Sequence, residues 1–302
     1  MDLVVTRQKN VVKFTLDKYT PILGKILFDL SIEFYSRSSF KLDPAWRIAP
    51  APSLAHHQPL ITDDLVDSLR AGSVTSVHGI QRFIGENKIE LSDGTILEDV
   101  DTVILCTGYM PDFSVTPDFD PLSPTSTDES FTKAGLKTPP LAHLYQNMFP
   151  PRYADSLAYF NYLALTDGAL TAIDLASMAL AQIWNGNSPL PSVAEMEAAV
   201  KTHHKWVRKQ GNGINVYTGI VRPGPWYAFL NEAAGTGVDE YLGYGLKGWK
   251  FQFNDWKLCS LMMKGVMTPH MYRLFDMGKR RPWDGAREAI IKSNEHAKIF
   301  RK

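Results

Sequence analysis

Thr107-Gly108-Tyr109 closes the apolar run Val100 to Cys106, and this junction is the first place where the chain could gather chemistry. The run is rich in β-branched residues and reads as a buried strand. Glycine just past a strand end lets another segment or a ligand approach the backbone closely; the plainer reading is a strand-end turn. Asp167-Gly168 is the second candidate. It precedes Leu170 to Trp184, an apolar stretch that reads as a long helix. Free N–H groups and the dipole at a helix N-terminus favour an anionic or electron-rich group. An ordinary N-cap by Thr166 or Asp167 is the rival, and the two roles can coexist. Arg7 follows Leu3 to Thr6, which reads as a strand. Its planar fork suits phosphate oxygens, although an exposed arginine is the default.

Other reactive-looking residues have plainer explanations. Gly243-Tyr-Gly245-Leu-Lys-Gly248 spells G-x-G-x-x-G. That pattern binds dinucleotides only between a strand and a helix, and Asp239 to Leu242 is no convincing strand. His56-His57 and His203-His204 are adjacent pairs whose members do not share a face. No carboxylate or cysteine stands at ligand spacing, so surface or capping histidines are expected. Cys106 has no histidine near it in sequence and reads as a small buried packing residue. Trp249, Phe251, Phe253 and Trp256 read as core and pocket wall.

The elements that would position these groups follow from local patterns. Lys18 to Phe34 has helical spacing through Ile22, Leu23, Ile26, Leu27, Leu30 and Phe34. Asp43 to Pro52 reads as a Pro- and Ala-rich loop. A short helix starts near Asp63, with Thr62 as cap, and stops at Gly72. Val74 to Phe83 adds strand, and Ser92-Asp93-Gly94-Thr95 turns a hairpin between Lys88–Leu91 and Ile96–Val103. Leu157 to Leu163 is another strand candidate. Asn185-Gly186-Asn187 with Pro189 ends the long helix. Ser192 and Glu195 have capping-box spacing for a helix over 193–207. Helices separated by Gly- and aromatic-rich loops fill the last hundred residues.

Composition narrows the classes. The 302 residues are 44% hydrophobic with a formal net charge of zero. That is ample for a core and gives no electrostatic drive toward nucleic acid or anionic membrane. Two cysteines make no disulfide framework, so a reducing, cytoplasmic setting is expected. The first residues do not read as a signal peptide, and no run of about 18 apolar residues suggests a membrane anchor.

Hairpin, apolar strand and Thr107-Gly108-Tyr109 together resemble the Ala-Thr-Gly-Tyr signature of flavin-containing and Baeyer–Villiger monooxygenases, with Cys106 in the alanine's place. Pro59 to Leu65 and Arg70 to Val74 resemble that family's approach to the strand. Leu163 to Trp184, with Leu190-Pro191-Ser192 and Glu195-Met196, resembles the segment after it. Gly248 to Phe251, Pro269 to Leu274 and Trp283 to Arg287 are similar to the carboxyl end of filamentous-fungal members. The likeness covers most of residues 55–302.

The resemblance implies an α/β fold: an incomplete two-dinucleotide-binding-domain flavoprotein with a helical C-terminal region. It implies a partial NADPH-type domain over residues 1–110 and the returning part of the FAD domain over 111–302. It also implies FAD and NADPH as cofactors, and oxygenation of nitrogen, sulfur or a ketone in a small organic substrate. In it Thr107, Gly108 and Tyr109 carry the backbone past the flavin-bearing loop, the helix after Asp167 and Gly168 points at the flavin ring, and Arg7 stands where a basic residue pairs with the NADPH 2′-phosphate. The family uses two Gly-rich turns to cradle the diphosphates, and neither precedes Thr107 here. Three readings follow: a monooxygenase completed by a missing N-terminal half; a cofactor-free cyclase or isomerase using the C-terminal pocket; and a non-catalytic binding partner. Unpaired edges predict association with itself or with a partner polypeptide, or repair of the edge by Leu3 to Thr6 and the helix after it.

Overall fold

The computed structural model describes residues 6–48, 62, 64–106, 111–122, 141–160, 162–164, 168–211 and 218–299. The chain divides into two compact units. One comprises Met1–Ile26, Leu54–Pro59 and Phe113–Lys302; the other comprises Leu27–Ser53 and Leu60–Asp112.

The larger unit is helical. Helix α4 (Ala169–Trp184) is its axis, because Ala172, Leu175, Ala176 and Ala179 recur at three- and four-residue spacing and are all fully buried. Three alanines on one face let α6 (Pro223–Ala234) approach closely, and α6 answers with buried Trp226, Leu230, Ala233 and Ala234. Helix α5 (Val193–Gly211) opens with the expected capping box: the Glu195 carboxylate accepts from the Ser192 N–H at 2.9 Å, and the Glu195 N–H donates to the Ser192 hydroxyl at 3.4 Å. The short α7 (Val238–Tyr241) follows two glycines with positive φ, Gly235 and Gly237. Then come α8 (Leu246–Asn254), α9 (Trp256–Lys264), a 3₁₀ turn at Pro269–Arg273 and α10 (Ala286–Ile299). Asn294 Oδ1 accepts from the Val266 N–H at 2.8 Å, fixing the chain after α9 against α10.

Helix α1 (Arg7–Tyr19) opens this unit, capped by the Thr6 hydroxyl. Residues 3–5 of the expected first strand lie outside the described residues, and Thr6 is a helix cap. The helix expected over 18–34 is broken: α1 ends at Tyr19, and α2 (Pro21–Phe40) begins at a proline, which a helix accepts at its first position.

In the smaller unit α3 (Leu65–Ala71) is closed by Gly72 at φ 74°, and the Thr62 hydroxyl accepts from the Leu65 N–H. The sheet has three antiparallel strands in sequence order, β1 (Ile80–Phe83), β2 (Ile89–Leu91) and β3 (Ile96–Leu97). Its register pairs Ile80 with Leu91 and Phe83 with Ile89, then Ile89 with Leu97. The hairpin turn is as expected, with Gly94 at φ 83° and Asp93 accepting from the Thr95 N–H. Only Ile89 and Leu91 of the sheet are buried.

Several expectations fail. Val100 to Cys106 forms no strand, and Val103, Ile104 and Leu105 are 37, 81 and 73% exposed. The reason is topological: the described sheet stops at β3 and offers the run no neighbour. Cys106, expected inside, is exposed for the same reason. Of the expected strand Leu157 to Leu163, residues 157–160 and 162–163 are irregular chain beside one parallel bridge, Ala164 to Ile220, and residue 161 lies outside the described residues. Gly219 makes that bridge possible, since a Cβ there would lie 3.1 Å from the Tyr162 carbonyl. Of the expected aromatic core, Phe251 packs edge-on to Tyr241 and Phe275, but Trp249, Phe253 and Trp256 are exposed.

Leu230 and Ile104 give a direct comparison. Leu230→Ala removes a fully buried side chain and should cost about 3 kcal/mol. Ile104→Ser should move stability by less than about 0.5 kcal/mol. Urea unfolding reads both, and a loss of several kcal/mol for Ile104→Ser would show that the run is buried after all.

Candidate functional site

Gly168 caps α4 with φ −57° and ψ 113°, and no side chain of its own closes the helix end. Gly168, Ala169 and Leu170 are exposed. The first turn of a 16-residue helix thus presents its N–H groups outward, an arrangement that suits an electron-rich ring edge or an anion. Asp167, Thr166 and the triplet Thr107, Gly108 and Tyr109 lie outside the described residues.

Arg7 occupies the first turn of α1. Its guanidinium donates to the Asp239 carboxylate at 2.6 Å and to the Val238 carbonyl at 3.4 Å. Its side chain is only 12% exposed. Arg7 therefore ties α1 to α7, a long-range contact that charge-assisted hydrogen bonds favour. Among the described residues no bond joins it to Gly168.

At its other end α4 borders a cleft of about 420 Å³, lined by Pro151, Arg152, Asp155, Trp184, Leu190 and Met196 among others. Trp184 Nε1 donates to the Ala154 carbonyl at 3.0 Å and fixes that wall. Midway along α4, Asp174 grips Arg273 with both carboxylate oxygens. The pair locks the 3₁₀ turn onto α4 and raises the Arg273 pKa further. The residues are 99 apart, so nothing in local spacing pointed to the pair.

Gly243-x-Gly245-x-x-Gly248 joins α7 to α8, with helix on both sides. A Cβ at Gly248 would collide with the Gly243 carbonyl oxygen, and one at Gly243 with the Asp239 carbonyl. These glycines serve backbone packing. A dinucleotide diphosphate needs a ring of free N–H groups between strand and helix, and the described residues do not fit one.

The histidines depart from the surface placement expected of them. His204 is buried, with Nε2 3.0 Å from the Ala142 carbonyl. His143 Nε2 lies 2.6 Å from Glu197. His203 stacks on Trp206 at 5.7 Å, and its Nε2 is buried without a hydrogen-bond partner among the described residues. Burial, with His204 and then Arg222 adding positive charge, pulls the His203 pKa down to about 4. His56 and His57 lie outside the described residues. Among the described residues no three potential metal ligands cluster, and no helix is long and apolar enough to cross a membrane.

The flavin-binding monooxygenase-like family matches residues 5–301. The chain belongs to that family. It is 41% identical over 295 residues to the monooxygenase aurF of Gibberella zeae, covering 97% of this chain and 55% of that protein. Flavin-containing monooxygenase 5 of Cavia porcellus is 26% identical over 271 residues, 89% of this chain and 46% of that one. Flavin-containing monooxygenase 3 of Homo sapiens is 26% identical over 247 residues, 81% and 41% respectively. The chain spans about half the length of the curated relatives it matches.

His203 makes stability depend on acid. An imidazole with its folded pKa near 4 is protonated in the unfolded chain below about pH 6.5 but stays neutral in the folded one. Stability should therefore fall as pH drops from about 6.5 to about 4, by up to roughly 3 kcal/mol, and level off below. Urea unfolding across that range should show the slope in the parent and a flatter profile in His203→Gln.

Proposed function

We propose that this chain is the supporting part of a flavin-dependent monooxygenase that oxygenates nitrogen, sulfur or a ketone in a small organic substrate, using FAD and NADPH. The family match over residues 5–301 carries this reading, and the 41% identity to a fungal monooxygenase favours it over a cofactor-free cyclase or isomerase. Bound FAD, reduced by NADPH, supplies the oxygen chemistry; the protein positions it and excludes water.

In this reading the exposed first turn of α4, which begins at Gly168, would meet the electron-rich edge of the flavin, and the family resemblance assigns cofactor contact to Asp167, Thr107, Gly108 and Tyr109 as well. The diphosphate cradles come from polypeptide beyond these residues, in the same chain or a partner. The exposed run Val103 to Leu105 supports that association, because unpaired β-branched backbone gains hydrogen bonds and burial when a neighbouring strand reaches it. Arg7, held by Asp239, contributes to packing before it contributes to any phosphate contact. Free Cys106 and Cys259 accord with a reducing cytoplasmic setting.

Visible spectroscopy separates the possibilities. The chain alone with added FAD should show no bound-flavin spectrum. Fused to the portion of the Gibberella protein that it does not span, it should show one, bleached by NADPH and restored by air. A fusion that holds FAD but never consumes NADPH would overturn the monooxygenase reading. Stoichiometric FAD on the chain alone would overturn the external cradle.

A further inference from the structure

A second cleft in the larger unit, about 290 Å³, is lined by His203, whose buried Nε2 has no hydrogen-bond partner among the described residues. It opens between α5, the loop at 144–147 and the start of α6, with walls that include Leu144, Val200, Val221 and Trp226. Arg222 stands at its mouth as the exposed N-cap residue of α6. Its guanidinium lies 5.0 Å over the Trp206 ring and makes no ion pair among the described residues. His203, also lining the cleft, keeps the orphaned Nε2.

We propose that this cleft binds a small monocarboxylate with an apolar body, its carboxylate held by the Arg222 guanidinium and His203 Nε2. Three observations converge. The first is chemical: a guanidinium fork matches a carboxylate, and Glu197, a carboxylate of the same helix, is already taken by His143. The second is the cost of leaving a buried polar atom unmade, about 1–3 kcal/mol, which a ligand would remove. The third is size: a cleft of about 290 Å³ holds a small molecule, which few polar contacts suffice to orient.

Binding would take up a proton. The His203 ring faces His204 on its own helix and Arg222 from the start of α6, and burial adds to their repulsion; His143, 6.3 Å from the His204 ring, is held by Glu197. A carboxylate placed between Arg222 and His203 offsets the repulsion, so Nε2 gains a proton and donates to the second carboxylate oxygen. This site is independent of the flavin reading, because no nucleotide enters its argument.

The test titrates the full chain with benzoate, with benzamide as the neutral isostere, and with inorganic phosphate. Tryptophan fluorescence reports binding, and ¹⁵N shifts of the labelled histidine rings report the proton. Benzoate should saturate, and it should bind about tenfold tighter at pH 5.5 than at pH 7.5 if the bound imidazole titrates near neutrality. Benzamide and phosphate should each bind at least about tenfold more weakly, since each lacks one half of the match. Arg222→Gln should lose benzoate binding, and His203→Gln should keep it while flattening the pH profile. If Arg222→Gln does not fold, Arg222→Lys and the benzoate–benzamide comparison in the parent decide. Equal binding of benzoate with benzamide or phosphate, no saturation, or a pH-independent affinity would each overturn the proposal.

Discussion

The close approach of α4 to α6 is the contact on which the larger unit depends. Ala172, Ala176 and Ala179 leave no side-chain bulk between the helices, so Trp226 and Leu230 pack directly against the α4 surface. Burying Trp226 and Leu230 alone withdraws a few hundred Å² of apolar surface, worth several kcal/mol at about 25 cal/mol per Å². Every polar clamp described here is secondary to that contact. Asp174 can meet Arg273 only because α4 is already fixed, and Ser188 reaches the Ala233 carbonyl at 2.7 Å only because α6 ends where it does. A larger residue at Ala176 would part the helices and loosen all three together.

Among the described residues the smaller unit has no comparable contact. Two sheet residues, Ile89 and Leu91, are buried, and ion pairs such as Arg82–Glu90 and Lys88–Glu98 lie on the surface, where such pairs contribute little. Apolar residues instead remain outside: Leu30 and Phe34 of α2 are exposed, and so are Ile22 and Ile26 on the part of that helix that belongs to the larger unit. The same holds for the run before Thr107. Both are patterns that a sequence writes for a buried environment.

That difference explains what the sequence made legible. Signals complete within a few residues were readable: the capping box of Ser192 and Glu195, the αL glycine after α3, the Asp93–Gly94 turn, and the 16-residue apolar helix α4. Each needs only its own neighbours to satisfy its hydrogen bonds. Val100 to Cys106 is the opposite case, because a strand exists only by pairing. Its composition states what environment it needs, not whether that environment is present. The site residues divide in the same way. The place of Gly168 at the start of α4 was legible from the helix pattern that follows it. Arg7 with Asp239 and Asp174 with Arg273 are joined across 232 and 99 residues, and His203 becomes notable only once burial strips its Nε2 of partners.

The glycines separate family membership from nucleotide grip. In a dinucleotide turn, glycine is needed because backbone N–H groups must come within hydrogen-bonding distance of phosphate oxygens. At Gly243 and Gly248 the same absence of a side chain serves to let one carbonyl pass close to another turn of backbone. A carbonyl presents negative charge and a phosphate requires positive charge, so this packing cannot be converted into a cradle by small movements. What this chain shows is a set of packed helices, a hairpin and an exposed start of α4. The Gly243 carbonyl is turned onto the backbone at Gly248, whereas the chain is exposed where α4 begins, at Gly168.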